Sequence, residues 1–136
     1  MTAYVLDSSA LLRYMDDEAG AERVEEILKA CVAGQVSLSI SALQWGEIAG
    51  NIRQRFGATD QLRILSAIAP SEVEIIPVTA ERAVRAAELK VDRKMAYADA
   101  IALELTWERP DRVLVTADYG FKSVNDLAKI EFLPSK

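Results

Sequence analysis

The chain contains no histidine. That absence removes the commonest general base and the commonest metal ligand, so any catalysis has to use other groups. Cysteine is almost absent as well, with Cys31 alone in the apolar, helix-like stretch VEEILKACVA. It can form no internal disulfide, which agrees with a reducing compartment, and its simplest role is that of a small core residue. There is no apolar run of about 18 residues to cross a membrane, and the N-terminus lacks the basic start and apolar stretch of a signal peptide. The expected setting is cytoplasmic, with no membrane partner. Positive charge is in short supply too, with 16 basic against 21 acidic residues and a formal net charge of -5. Such a balance argues against a nucleic-acid partner bound through a basic footprint. One class escapes the objection, an enzyme whose acids hold cations that then meet the phosphate.

What remains is 136 residues of which 51% are hydrophobic, enough for one compact domain over 1–136 with a substantial core. With only 6 glycines and 4 prolines, no linker, low-complexity tract or repeat divides it. Five β-rich runs stand out: Ala3 to Leu6, Val36 to Ile40, Val73 to Val78, Arg112 to Thr116, and Ile130 to Leu133. Helical patterns lie between them, and strands alternating with helices imply a mainly parallel sheet covered on both faces. The predicted class is α/β.

The helices locate the acids. One from about Ala19 to Ala33 puts Val24, Ile27, Leu28 and Val32 on a stripe and should stop at Gly34. The stretch SALQWGEIAGNIRQRF opens with a capping box, Ser41 and Gln44 satisfying free amides of the first turn, and should end near Gly57. Its apolar stripe is Trp45, Ile48, Ala49, Ile52 and Phe56, which leaves Glu47 at the rim. A third helix from about Asp60 to Ala69 should stop at Pro70, and a fourth, capped by Thr79, should run to about Val91. The stretch KMAYADAIALELTWER then has almost no polar face and should be buried, with Asp99 near its start where free amides favour an anion.

Four acids thus occupy distinctive places. Asp7 and Asp118 follow strands, Asp99 opens a buried helix, and Glu47 sits on a helix that follows a strand. Ligands of open α/β sheets bind outside the carboxyl ends of the strands, and the acids could converge there. Two carboxylates at about 4 Å repel by about 4 kcal/mol at an effective dielectric of 20, so such a cluster must take up protons or cations. Oxygen ligands without imidazole or thiolate favour Mg²⁺ or Mn²⁺ over zinc. Such an ion lowers the pKa of a bound water and neutralises the oxygens of a phosphodiester. Ser8 and Thr116, one and two residues from Asp7 and Asp118, would hold the ligands or the water in place.

These residues resemble the PIN-domain ribonucleases, and within them the VapC-type toxins of toxin–antitoxin pairs. The resemblance covers essentially the whole chain. It rests on "DSSALL" at Asp7, "ALQWGEIA" at Glu47, "YADAIALELT" at Asp99 and "LVTADYGF" at Asp118, in the family's order, spacing and setting. It implies an α/β/α sandwich and a Mg²⁺- or Mn²⁺-dependent endoribonuclease with Asp7, Glu47, Asp99 and Asp118 on the metal. Ser8 and Thr116 would orient ligands and water. It further implies an RNA substrate, a cognate antitoxin blocking the acidic groove, toxin dimers and a toxin–antitoxin hetero-oligomer. The antitoxin's contact surface would lie around Leu11, Leu12, Tyr14 and Met15.

Each residue has a plainer alternative. Asp7 is a good helix cap, Glu47 an ordinary solvated charge, and Asp118 a turn residue before Gly120. A structural Asp99 would need a buried partner, for which Arg93 and Lys94 are the nearby candidates. Lys90, Arg93, Lys94, Arg13, Arg53, Arg55 and Lys122 would hold RNA phosphates or merely solubilise the surface. Trp45 and Trp107 would stack bases or, since both lie on apolar stripes, simply pack in the core. A receiver domain would need an acid after the third strand, where Pro77, Val78 and Thr79 stand. A haloacid-dehalogenase phosphatase would need an Asp at the position of Ser9. The other alternative is a non-catalytic PIN-like scaffold that binds RNA or protein, although unneutralised clustered carboxylates would burden such a protein.

Overall fold

The computed structural model describes residues 1–68 and 73–136. Five strands form one sheet: β1 (Ala3–Leu6), β2 (Ser37–Ser41), β3 (Glu74–Ile76), β4 (Arg112–Thr116) and β5 (Lys129–Phe132). Their order is β3-β2-β1-β4-β5, and every neighbouring pair is parallel. The chain builds outward from β1 to one edge, returns to its other side and builds to the opposite edge. The sheet is thus an α/β fold whose strand order reverses between β1 and β4, and in such sheets the crevice opens at that reversal.

Alternation along the strands explains why both faces are covered. Val5 and Leu114 point into one core while Leu6 and Val115 point into the other. On the Leu6 side pack α1 (Ser8–Met15), α2 (Ala21–Val32), α3 (Ala42–Phe56) and α4 (Ala58–Ile68). On the Val5 side pack α5 (Ala80–Arg93), α6 (Tyr97–Trp107) and a short 3-10 helix at Tyr119–Val124. No helix among the described residues is long and apolar enough to cross a membrane.

Most element ends follow from local chemistry. The α2 helix stops as predicted, with Gly34 at φ +75° donating to Cys31 O and Gln35 donating to Ala30 O, the paired closure of a Schellman end. Thr79 caps α5 by accepting from Arg82 N, and α5 runs past Val91 to Arg93 before Lys94 turns left-handed. The third strand is shorter than its apolar run, because Pro77 has no N–H to continue the ladder. The start of α4 lies at Ala58 rather than Asp60. Its predicted stop at Pro70 lies outside the described residues.

Gly20 carries a tertiary constraint. It precedes α2 at φ +92°, and a Cβ there would sit 2.8 Å from the Cβ of buried Leu133. Gly20→Ala is expected to cost the fold at least about 1–2 kcal/mol from the left-handed backbone alone. Urea unfolding checks it, since the midpoint should fall at an unchanged slope.

Several expectations about buried faces need correction, among them Val32 and Phe56, which end their apolar stripes but are 60% and 47% exposed. Leu11 is core, 1% exposed, because the first turn of α1 packs on the sheet, so the apolar surface expected there begins only at Leu12. Trp45 does pack against the core, but Trp107 is 48% exposed, since as the last residue of α6 it extends past the buried part of the helix. The α6 helix also hides a charge. Glu104 is 2% exposed and held by Arg82 Nη1 at 3.1 Å and Arg85 Nε at 3.0 Å, both from α5. A buried carboxylate persists only when paired in this way.

Candidate functional site

The reversal of strand order sets Asp7 and Asp118 side by side. Asp7 is the first residue after β1, Asp118 the second after β4, and these strands are direct neighbours. Asp7 is 3% exposed and satisfies its burial locally. Its Oδ1 accepts from Ala10 N at 3.0 Å and from the Ser9 hydroxyl at 2.7 Å, and its Oδ2 accepts from the Thr116 hydroxyl at 2.5 Å. The plain role of Asp7, capping α1, is therefore real. It does not exhaust the group, because a carboxylate offers about four acceptor positions.

The two hydroxyls bridge the crevice. Thr116 Oγ1 also accepts from Asp118 N at 3.0 Å, and Ser9 Oγ accepts from Ala117 N at 2.9 Å. Asp7 and the turn holding Asp118 are thus fixed to each other through Ser9 and Thr116. Asp118 itself is exposed and caps the 3-10 helix by accepting from Gly120 N at 2.9 Å. Ser9 is the contact that motif reading underweights, for Ser8 instead turns to Glu47, its hydroxyl 3.3 Å from Oε1. The signal was the run of two serines after Asp7, since only the second returns to the cap on a helix.

Glu47 is exposed on α3, as its place off the apolar stripe requires. Asp99 lies half-buried in the first turn of α6. Neither Arg93 nor Lys94 neutralises it. Arg93 is paired with Asp126 at 2.8 Å, and among the described residues no donor or cation meets the Asp99 carboxylate. Its pKa is pushed up to about 6, first by burial and then by the negative charges of Asp118, Asp7 and Glu47. Burial also raises Asp7, against the lowering pull of the Thr116, Ser9 and Ala10 hydrogen bonds, with Asp118 adding to the rise. Asp99 therefore feels the other three acids, and Asp7 feels Asp118, at the carboxyl end of the sheet.

The capping box at α3 forms only in part. Ser41 accepts from Leu43 N at 3.1 Å, but Gln44 does not turn back to its own helix start. Ser41 is at once the last residue of β2, in register with Ile76, and the Gln44 amide is taken by other backbone groups. Its Oε1 accepts from Ser8 N at 2.6 Å and its Nε2 donates to Ala98 O at 2.7 Å. No short motif announces such a contact, which spans 36 and 54 residues of chain.

Chemically the site offers four carboxylates, two bridging hydroxyls and no imidazole or thiolate. That donor set suits a hard divalent cation. Among the described residues no three of the acids are already close enough to share one ion. They are coupled through space rather than gathered, through the interactions of Asp99 with the other three and of Asp7 with Asp118. Most of the basic residues near the motifs are committed elsewhere. Arg13 donates to Ala19 O and Pro134 O, Arg55 pairs with Asp16, and Lys122 lies over the Tyr119 ring.

Ser9→Ala would leave Asp7 one donor short and strand the Ala117 N–H. If Asp7 holds a cation, the expected loss of affinity for it is about 10–100-fold, the range typical of groups that orient ligands. Titration of the variant with Mn²⁺ measures it directly.

Comparison with known proteins adds the following. The PIN domain profile matches residues 4–127. A chain of VapBC2 from Rickettsia felis, solved bound to a DNA fragment from its promoter, superposes with a TM-score of 0.73 at 16% identity, covering 98% of this chain and 100% of that one. A toxin–antitoxin complex from Klebsiella pneumoniae gives 0.73 at 19% identity, covering 98% and 99%. The sarcin–ricin loop cleaving toxin VapC20 of Mycobacterium tuberculosis gives 0.71 at 18% identity, covering 96% and 99%. At such identities these likenesses show the fold. No curated protein matches by sequence.

Proposed function

Because the chain belongs to the PIN-domain family, we propose that it is a divalent-metal-dependent endoribonuclease and the toxin of a toxin–antitoxin pair. The observation that carries the reading is Asp99, a half-buried carboxylate that no donor or cation among the described residues meets, its pKa pushed up to about 6 first by burial and then by the charges of Asp118, Asp7 and Glu47. A protein with no use for a cation would gain stability by replacing it. Asp7, Glu47, Asp99 and Asp118 would hold Mg²⁺ or Mn²⁺. When bound, the ion would acidify a water and neutralise the scissile phosphate.

The chain's own part is orientation. Thr116 holds Asp7 by donating to it and fixes the Asp118 backbone by accepting from it, while Ser8 steadies Glu47. Burial keeps solvent away from Asp7 and so strengthens its pull on a positive charge. Since the surface is acidic overall, the substrate phosphate would be attracted through the cation rather than through a basic face.

The antitoxin reading has a receptive surface. A groove of about 380 Å³ runs between α1, α2, the end of α3 and α4, lined by Tyr14, Met15, Leu28, Phe56, Ile64 and Ile68 among others. An apolar segment of the partner would lie there, in a cytoplasmic complex of toxin dimers and antitoxin.

Incubating purified, partner-free protein with total RNA in Mg²⁺, Mn²⁺ or EDTA tests the activity. Discrete fragments that EDTA abolishes are expected. A folded protein that neither cleaves RNA nor binds Mn²⁺ would instead be a non-catalytic scaffold.

A further inference from the structure

One buried side chain touches the backbone beside two of the four acids and stands one helical turn from a third. Gln44 is 1% exposed in the first turn of α3. Its Oε1 accepts from Ser8 N, the amide next to Asp7, and its Nε2 donates to Ala98 O, the carbonyl next to Asp99. Glu47 follows on the same helix, three residues on. The starts of α1 and α6 come from distant parts of the chain, and both are pinned to α3 at this one amide.

The chemistry of the contact is specific. Ser8 N is a first-turn amide of α1, one of the donors that no helix satisfies internally. Ala98 O is a carbonyl with a second lone pair available. Meeting both at once takes a neutral group that accepts at one atom and donates at another, which a primary amide does and a carboxylate or thioether does not. The stem must also be long enough to reach from α3 into the gap between α1 and α6. Glutamine meets both conditions.

We propose that Gln44 is a positioning residue, its buried carboxamide fixing the relative placement of the segments that bear Asp7, Glu47 and Asp99, so that a divalent cation need only draw their side chains together. Asp118 is not under its control. That acid is tied to Asp7 by the separate Ser9 and Thr116 bridge. The site thus has two independent clamps, a hydroxyl pair across β1 and β4 and an amide across α1, α3 and α6. The proposal rests on the reading of the acids as cation ligands.

The test uses the full chain and Mn²⁺ alone, titrated by calorimetry, with RNA cleavage measured over the same Mn²⁺ range. Gln44→Met keeps the length and removes both hydrogen bonds. Ile52→Val, a core change on the same helix, serves as the control for lost stability. The Met variant is expected to bind Mn²⁺ about 10–100-fold more weakly than the parent, with a native circular dichroism spectrum and with cleavage recovering at high Mn²⁺. The Ile52→Val protein is expected to bind as the parent does. Should the Met variant not fold, Gln44→Asn keeps the amide on a shorter stem that can reach only one partner, and an intermediate loss of affinity is expected.

Parental Mn²⁺ affinity in a folded Gln44 variant would overturn the proposal. So would an equal loss in Ile52→Val, because the effect would then follow stability. Mn²⁺ binding by the parent without RNA cleavage defeats the nuclease reading but leaves the comparison of affinities to decide on Gln44. A parent that binds no Mn²⁺ overturns both.

Discussion

Asp7→Asn is expected to lower metal-dependent RNA cleavage by more than about 100-fold while the chain stays folded, exceeding the loss typical of groups that only orient a ligand. The fold should survive because asparagine is as good a helix cap as aspartate. Its carbonyl can still accept from Ala10 N and from Ser9, and its amide can donate to Thr116 Oγ1 once that hydroxyl rotates. What disappears is a negative charge in a site where burial magnifies it. Burial already makes that charge unfavourable, which is why the Asp7 pKa is raised. The variant should therefore be no less stable than the parent at neutral pH. Cleavage assays beside thermal unfolding read both effects, and retained cleavage in the variant would remove Asp7 from the chemistry.

Asp99→Asn should separate stability from activity still more sharply. The carboxyl titrates near 3.8 in the unfolded chain and near 6 in the folded one. The fold favours its protonated form, so this group's stabilising contribution is complete below pH 3.8 and is lost as pH rises through about 6. Asp7, shifted in the same direction, adds to that decline. Removing the charge should raise the stability of the metal-free protein by about 1–2 kcal/mol at pH 7, allowing for solvent screening of a half-exposed group. It should also flatten the fall between pH 4 and 7.

With Mn²⁺ the order reverses. At about 100 times Kd the ion should stabilise the parent by about 2.7 kcal/mol, and the variant far less. Urea unfolding at several pH values, with and without Mn²⁺, carries the comparison. A variant with the parent's pH curve and the parent's metal response would place Asp99 outside the site.

Much of this was legible in the sequence. Period-two and apolar runs located the five strands, and β1 and β4 have the bounds that their runs predicted. Ser41, Thr79 and Gly34 marked helix ends by chemistry confined to a few neighbouring residues. The errors share a feature. Pro77 shortened β3 because a ladder needs a donor, and Trp107 is exposed because a stripe does not say where a helix leaves its neighbours. Glu104 was hidden in an apolar run because its two arginines lie on another helix.

The four acids stand in the same position. Their types and settings are written along the chain, and the absence of histidine already meant that any catalysis has to use other groups. Their mutual influence is not written there. It arises because β4 returns to the open side of β1, which brings Thr116 and Asp118 to Asp7 across 109 and 111 residues of chain. That crossing lets Ser9 and Thr116 bridge two strand ends, as the packing of α3 against α1 and α6 lets Gln44 tie α1 to α6. Local sequence determines what each segment forms, because helix, strand and cap depend on neighbours within a few residues. The tertiary structure decides which charges meet, because electrostatic interaction depends on distance through space and burial, and neither is a property of sequence position.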